Sequence, residues 1–325
     1  MLAVNLGLLP LVWAQDEPLL RVNVRLVRIL ATVKTAAGAL VGTLNKDDFT
    51  VLDNGAPQKI AIFERRTEQP LSVALLVDNS GSTAKDLKYE TDSVARFLRK
   101  LFGEGNARDS VALYSFNYQV VKQNHFTRNA SSLEHSLKWL RGEAGTSLYD
   151  AIYLAAGELE QREGRRVMVI VTDGGDTTSS KDFHAALNAA QLADAVIYPI
   201  LVVPITNDAG RNIGGENALT TISKGTGGRV FLPSLGAALD TAFADILREL
   251  RTQYLLAYYP QNTPLTANTF HRLEVQVNAR VNPGELRVVA RNGYYGEAED
   301  AGASSGRVFI APQENVPQKG KLQEH

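Results

Sequence analysis

The chain has 325 residues, with 34 Lys+Arg against 35 Asp+Glu, and contains no cysteine. A near-neutral balance argues against a nucleic-acid binder, which needs a basic footprint to displace counterions from phosphates. The missing cysteines remove zinc fingers, thiol catalysis, iron–sulfur clusters, disulfide scaffolds and attachment of lipid through an N-terminal Cys. With five scattered histidines, any bound cation is expected to be hard and held by oxygen.

Residues 1–14 are apolar but too short to span a bilayer, and Val12-Trp13-Ala14 is followed by polar Gln15-Asp16-Glu17. A short apolar core closed by a small residue resembles the end of a secretory signal, although the basic start of such a signal is missing. The expectation is therefore an exported protein, periplasmic, cell-surface or secreted, with no transmembrane segment. From Leu20 to Leu26 apolar Leu20, Val22, Val24 and Leu26 alternate with Arg21, Asn23 and Arg25, which predicts a half-buried strand. Phe49–Leu52 and Ile60–Phe63 flank Asp53-Asn54-Gly55, a strong turn signal.

The pattern then changes. Val73–Val77, Val111–Tyr114, Val167–Val171 and Val196–Val203 are apolar runs typical of strands buried on both faces. Helical stripes lie between and after them: Leu87, Val94, Phe97, Leu98 and Leu101; Leu148, Ile152, Ala155, Ala156 and Leu159; Leu235, Leu239, Phe243, Ile246, Leu247 and Leu250. Strand–helix alternation predicts an α/β fold, a doubly wound, mostly parallel sheet with helices on both faces. After residue 252 strands return: Leu273, Val275 and Val277 alternate with Arg272, Glu274 and Gln276, and Leu286–Ala290 follows Asn282-Pro283-Gly284. The resulting division is a signal at 1–14, a β segment at 18–66, an α/β domain at 71–250, a second β segment at 252–296 packing with the first, and a polar tail at 297–325.

In open α/β sheets ligands bind beyond the carboxyl ends of the strands. There the first central strand runs into Asp78-Asn79-Ser80-Gly81-Ser82, a carboxylate and two hydroxyls at i, i+2 and i+4. Val167–Val171 runs into Thr172-Asp173-Gly174-Gly175-Asp176, and Gly145-Thr146-Ser147 precedes the Leu148 helix. Each fragment alone also reads as a turn or a helix cap. Two acids and three hydroxyls together suit Mg²⁺, which takes octahedral oxygen ligation and keeps waters. So lightly charged a set leaves the ion electrophilic and open to one more oxygen from outside.

These residues resemble the metal-ion-dependent adhesion site of the von Willebrand factor type A domain, over residues 71–250. The D-x-S-x-S element corresponds to Asp78, Ser80 and Ser82, the threonine to Thr146 and the last acid to Asp173. The resemblance implies Mg²⁺ (or Mn²⁺) held by these five residues and a protein ligand offering an Asp or Glu carboxylate. Asp176 has no place in the motif. Lys46–Gly55, Tyr254–Pro260 and Arg291–Tyr295 resemble a bacterial group of VWFA-related proteins common in acidobacteria.

Enzymatic readings find less support. No Gly-x-Gly-x-x-Gly or Gly-x-x-x-x-Gly-Lys-Ser/Thr loop occurs, Ser80 is not in a Gly-x-Ser-x-Gly elbow, and His125, His135 and His184 lack His-Glu-x-x-His spacing. The expected function is a non-catalytic, cation-dependent binding module. Alternatives are a structural or assembly subunit of an envelope complex and a Mg²⁺-dependent hydrolase. Specificity is expected from loops at 116–130 and 204–217.

Overall fold

The computed structural model describes residues 26–65, 69–83, 86–202, 212–233, 236–261, 270–277 and 286–295. The expected signal at 1–14, the tail at 297–325 and all of the expected 20–26 strand except Leu26 lie outside these residues. Among the described residues no helix is long and apolar enough to cross a membrane.

The central sheet has the order β7-β6-β5-β8-β9, formed by β5 (Leu71–Asp78), β6 (Ser110–Phe116), β7 (Val120–Thr127), β8 (Arg165–Thr172) and β9 (Val196–Leu201). β5 pairs in parallel with β6 and β8, and β8 with β9; only edge strand β7 is antiparallel. Strand pleating sends successive side chains to opposite faces, and β5 divides its residues accordingly. Leu71, Val73, Leu75 and Val77 enter one core with α1 (Leu87–Glu104), α2 (Ala130–Lys138) and α6 (Ala237–Thr252). Ala74 and Leu76 enter the other with α3 (Leu148–Glu160), α4 (Phe183–Leu192) and α5 (Ile213–Thr226). This is the α/β architecture read from the apolar runs, with helices on both faces.

Two antiparallel sheets flank it. One has the order β12-β1-β10-β4, from β1 (Val27–Thr35), β4 (Ile60–Arg65), β10 (Tyr254–Tyr258) and β12 (Leu286–Val289). The other has the order β13-β11-β2-β3, from β2 (Phe49–Asp53), β3 (Ala56–Gln58), β11 (Phe270–Val277) and β13 (Gly293–Tyr295). Both draw strands from before and after the central sheet: Ile29 pairs with Leu256, and Val51 with Val275. Their inner faces share a core of Val27, Ile29, Ala31, Val51, Leu256 and Leu273.

The turn at Asn54-Gly55 forms as expected, and one sequence reading, that of the 116–130 loop, needs correction. The strand partnered across Asn54-Gly55 is the short β3, whereas Ile60–Arg65 crosses to the other sheet and pairs with β10. Asn54 and Gly55 both take positive φ, 49° and 81°, the conformation a two-residue hairpin needs to match strand twist. The stretch 116–130 is not a loop, because Val120–Thr127 adds an antiparallel edge to β6, leaving residues 117–119 as the turn. Of the second expected loop, 204–217, residues 204–211 lie outside the described residues, and from Ile213 onward the chain already belongs to α5.

Candidate cation site

Asp78 ends β5 and is fully buried. Its Oδ1 accepts from the Ser80 backbone N–H at 2.8 Å and its Oδ2 from the Thr172 hydroxyl, at the end of β8, at 2.6 Å. The carboxylate is thus fixed from both sides. Thr83 tightens the loop by donating its hydroxyl to the carbonyls of Asp78 and Ser80, both at 3.1 Å. The result is that Ser80 and Ser82 face each other, their Oγ atoms 3.0 Å apart. Ser80 is buried and Ser82 exposed, so the pair opens outward at the carboxyl edge of the sheet.

The segment carrying Thr146 is held against that loop by backbone hydrogen bonds. Glu143 N–H donates to the Asn79 carbonyl at 3.0 Å, and Ser147 N–H to the Asn117 carbonyl at 2.6 Å. Gly145 precedes the buried Thr146 at φ 83°, and a Cβ there would lie 2.8 Å from Tyr118 Cβ. Thr146 is in turn tied to the segment after β8: its N–H donates to Thr177 Oγ1, and its carbonyl accepts from the N–H groups of Thr177 and Thr178. Asp173, half-buried, starts that segment and accepts from Gly175 N–H at 3.3 Å. Asp176 has a different task. Its Oδ1 accepts from the Tyr149 N–H and the Ser179 hydroxyl, satisfying the first turn of α3, whose amides need outside acceptors.

Charge at the site is unbalanced. Burial pushes the Asp78 carboxyl up to about 6; the Thr172 and Ser80 hydrogen bonds oppose the rise, and Asp173 adds to it. Among the described residues no three His, Cys, Asp or Glu side chains converge in a metal-holding group, so any ion here depends on the hydroxyls as well as the acids. Hard oxygen donors of this kind fit Mg²⁺ or Mn²⁺ and no soft metal.

One acid near the site escaped the sequence reading. Glu90, on the first turns of α1, is fully buried, and neither carboxyl oxygen has a hydrogen-bond partner. Burial above all, then the charges of Asp78, Asp86 and Asp173, push it up to about 8. Its spacing from Leu87 (i+3) and Val94 (i−4) puts it on the buried stripe of α1. That spacing was the available signal.

Residues 73–175 match the family model of the von Willebrand factor type A domain, a span that runs from β5 past Asp173. Among solved structures, the chain is similar to the vWF domain of the type V pili tip protein Mfa5 from Porphyromonas gingivalis. Identity is 15%, the TM-score 0.47, and coverage 55% of this chain and 94% of that one. It is also similar to the conserved hypothetical protein BatB from Bacteroides thetaiotaomicron, at 18% identity and TM-score 0.45, covering 55% and 98%. The PilB minor pilin from Streptococcus sanguinis follows at 13% identity and TM-score 0.44, covering 57% and 62%. No curated protein sequence matches the chain.

Proposed function

We propose that the protein is a non-catalytic binding module that captures an acidic group of a protein partner through Mg²⁺ or Mn²⁺ held by Asp78, Ser80, Ser82, Thr146 and Asp173. The observation that carries this reading is the outward-opening pair of serine hydroxyls, 3.0 Å apart, over a buried carboxylate fixed from both sides. Backbone hydrogen bonds tie the segments carrying these residues to one another at one edge of the sheet. When bound, the cation supplies a Lewis-acidic position that a carboxylate from outside can complete. This chain's residues hold the ion and orient its open side.

The described histidines stand apart from these five residues. His125 lies on β7, His135 pairs with Trp139 on α2, His184 packs on Phe183 at the start of α4, and His271 faces Asp53 in the β sandwich. Among the described residues none of them hydrogen-bonds a member of the five-residue set. Export remains part of the proposal, on the strength of residues 1–14; a reporter fused to residues 1–20 that stays in the cytoplasm would contradict it.

A cation at ~100 times its dissociation constant stabilises the folded form by about 2.7 kcal/mol. For a chain of this size that raises the melting temperature by roughly 5 °C. Mg²⁺ is expected to produce such a rise in the wild type and little in Asp78→Ala or Ser80→Ala. A wild type that ignores millimolar Mg²⁺ and Mn²⁺ would overturn the assignment.

A further inference from the structure

At the end of β8 opposite the cation site, a cleft opens between the α/β layer and the antiparallel sheets. Its walls include Arg165 and Arg166 at the start of β8, Arg28 on β1, Arg291 between β12 and β13, Gln191 on α4, and Asp194 just beyond that helix. Four guanidiniums thus meet one carboxylate, and Asp194 is already joined to Arg291 Nη1 at 2.6 Å. Three of these residues hold a buried polar atom that no other described residue satisfies: Arg165 Nε, Arg291 Nε and Gln191 Oε1. The rest of each group is engaged. Arg165 donates through both Nη atoms to the Leu250 carbonyl and Gln253 Oε1, and Gln191 Nε2 donates to the Gly225 carbonyl at 3.2 Å. The last bond fixes which end of the amide is oxygen, so two N–H donors and one acceptor are left over. Buried donors without partners are costly, and like charges gathered in a poorly solvated space repel one another.

We propose that this cleft is a phosphate site, in which Arg165 Nε and Arg291 Nε donate to phosphate oxygens and a phosphate hydroxyl donates to Gln191 Oε1. Arg28 and Arg166 add positive charge around it. Two N–H donors under net positive charge call for an oxyanion, and the acceptor beside them calls for one that keeps a hydroxyl. Free phosphate has such a hydroxyl at neutral pH, as does the monoanion of a phosphate monoester; sulfate and carboxylates do not. Size agrees. The cleft gives about 30 Å³ to the centres of water-sized atoms, at least twice the ~15 Å³ that one water needs, which suits a tetrahedral group and is too small for a nucleoside. It adjoins a more open hollow of about 350 Å³, with Arg28 and Leu255 common to both, where the ester group of a monoester would lie. The site is independent of the cation reading. Because its residues come from both parts of the molecule, a bound phosphate would link them.

The test titrates the full chain with inorganic phosphate, glycerol 3-phosphate and sulfate by calorimetry at constant ionic strength. Phosphate is expected to bind, and sulfate to bind about tenfold more weakly or worse, because it leaves Gln191 Oε1 unpaired. Gln191→Glu and Arg291→Gln are expected to weaken phosphate binding by about 10–100-fold. Gln191→Leu, which keeps about the same volume and adds no charge, is expected to erase the preference over sulfate. Tighter binding of glycerol 3-phosphate than of phosphate assigns the site to a monoester, and the reverse assigns it to the free ion. No response to millimolar phosphate would show that the cleft takes water only, and equal binding of phosphate and sulfate would show an adventitious ion only; either overturns the proposal. So does wild-type phosphate affinity in Gln191→Glu and Arg291→Gln. Melting curves without anion show which variants fold, and should the charged changes not fold, Gln191→Leu still decides the matter.

Discussion

Two fully buried aspartates, Asp53 and Asp78, meet the cost of burial in different ways. Asp53 is surrounded by donors: the hydroxyls of Tyr258 and Tyr294 reach its Oδ2 at 2.7 and 2.8 Å, and His271 Nδ1 lies 3.1 Å from its Oδ1. Its role is structural, since Tyr258 belongs to one antiparallel sheet and the other three residues to the facing one. Asp53→Ala strips the partner from all three groups, and each buried polar group left unsatisfied costs about 1–3 kcal/mol. We expect a loss of about 3 kcal/mol or more, measured by urea unfolding, with the Mg²⁺ response kept in the fraction that folds. Loss of under ~0.5 kcal/mol, the range of ordinary surface substitutions, would contradict it. Asp78 has two donors, and the charge that acts on it is that of another acid, Asp173. A buried acid with fewer donors than Asp53 and only negative charge around it is suited to a cation.

At the scale of elements, the site depends on how three connections are pinned to the ends of β5, β6 and β8. Gly145 is the tightest of these points, at φ 83° with Tyr118 packed against it. Gly145→Ala combines a disfavoured backbone with a clash, so Thr146 must move; the expectation is a reduced Mg²⁺-induced rise in melting temperature and destabilisation by about 1–3 kcal/mol. A calorimetric Mg²⁺ titration indistinguishable from wild type would show that Thr146 is not held through Gly145. The central strands were legible because they are buried on both faces and read as continuous apolar runs, and Leu273, Val275 and Val277 were legible by alternation. β7 was not: as an edge strand, its Lys122, Gln123, Asn124 and His125 resemble a polar loop until β6 offers a partner. β1 was masked by the cleaner alternation of Leu20–Leu26 just before it. The five candidate residues stood out in the sequence because each follows a buried strand or precedes a helix. Glu90 was missed because a single acid on an apolar stripe looks like an interruption, and only burial reveals that it has no outlet to water.

At the scale of the whole molecule, the antiparallel sheets and the α/β layer are joined by a buried polar network. Arg165, at the start of β8, donates to Leu250 O and Gln253 Oε1 near the end of α6. The terminal carbonyls of a helix carry partial negative charge, which favours this buried guanidinium, as does the charge of Asp109. Gln253 then donates to Tyr198 on β9 and Thr32 on β1. Nearby, Glu249 on α6 accepts from both Lys34 on β1 and Arg229, at 2.6 Å each. Links this deep predict that both parts unfold together in one calorimetric transition. Gln253→Ala removes a shared partner from three buried groups and is expected to cost about 2–4 kcal/mol. Two separated transitions in the wild type would contradict the coupling.

The most direct measurement is diffraction from crystals grown with Mn²⁺, using the anomalous signal to locate the ion. The prediction is one strong peak among Asp78, Ser80, Ser82, Thr146 and Asp173, the residues that would hold the ion. Saturating Mn²⁺ with no peak there, or with the ion bound only elsewhere on the surface, would contradict the cation-dependent reading of this fold.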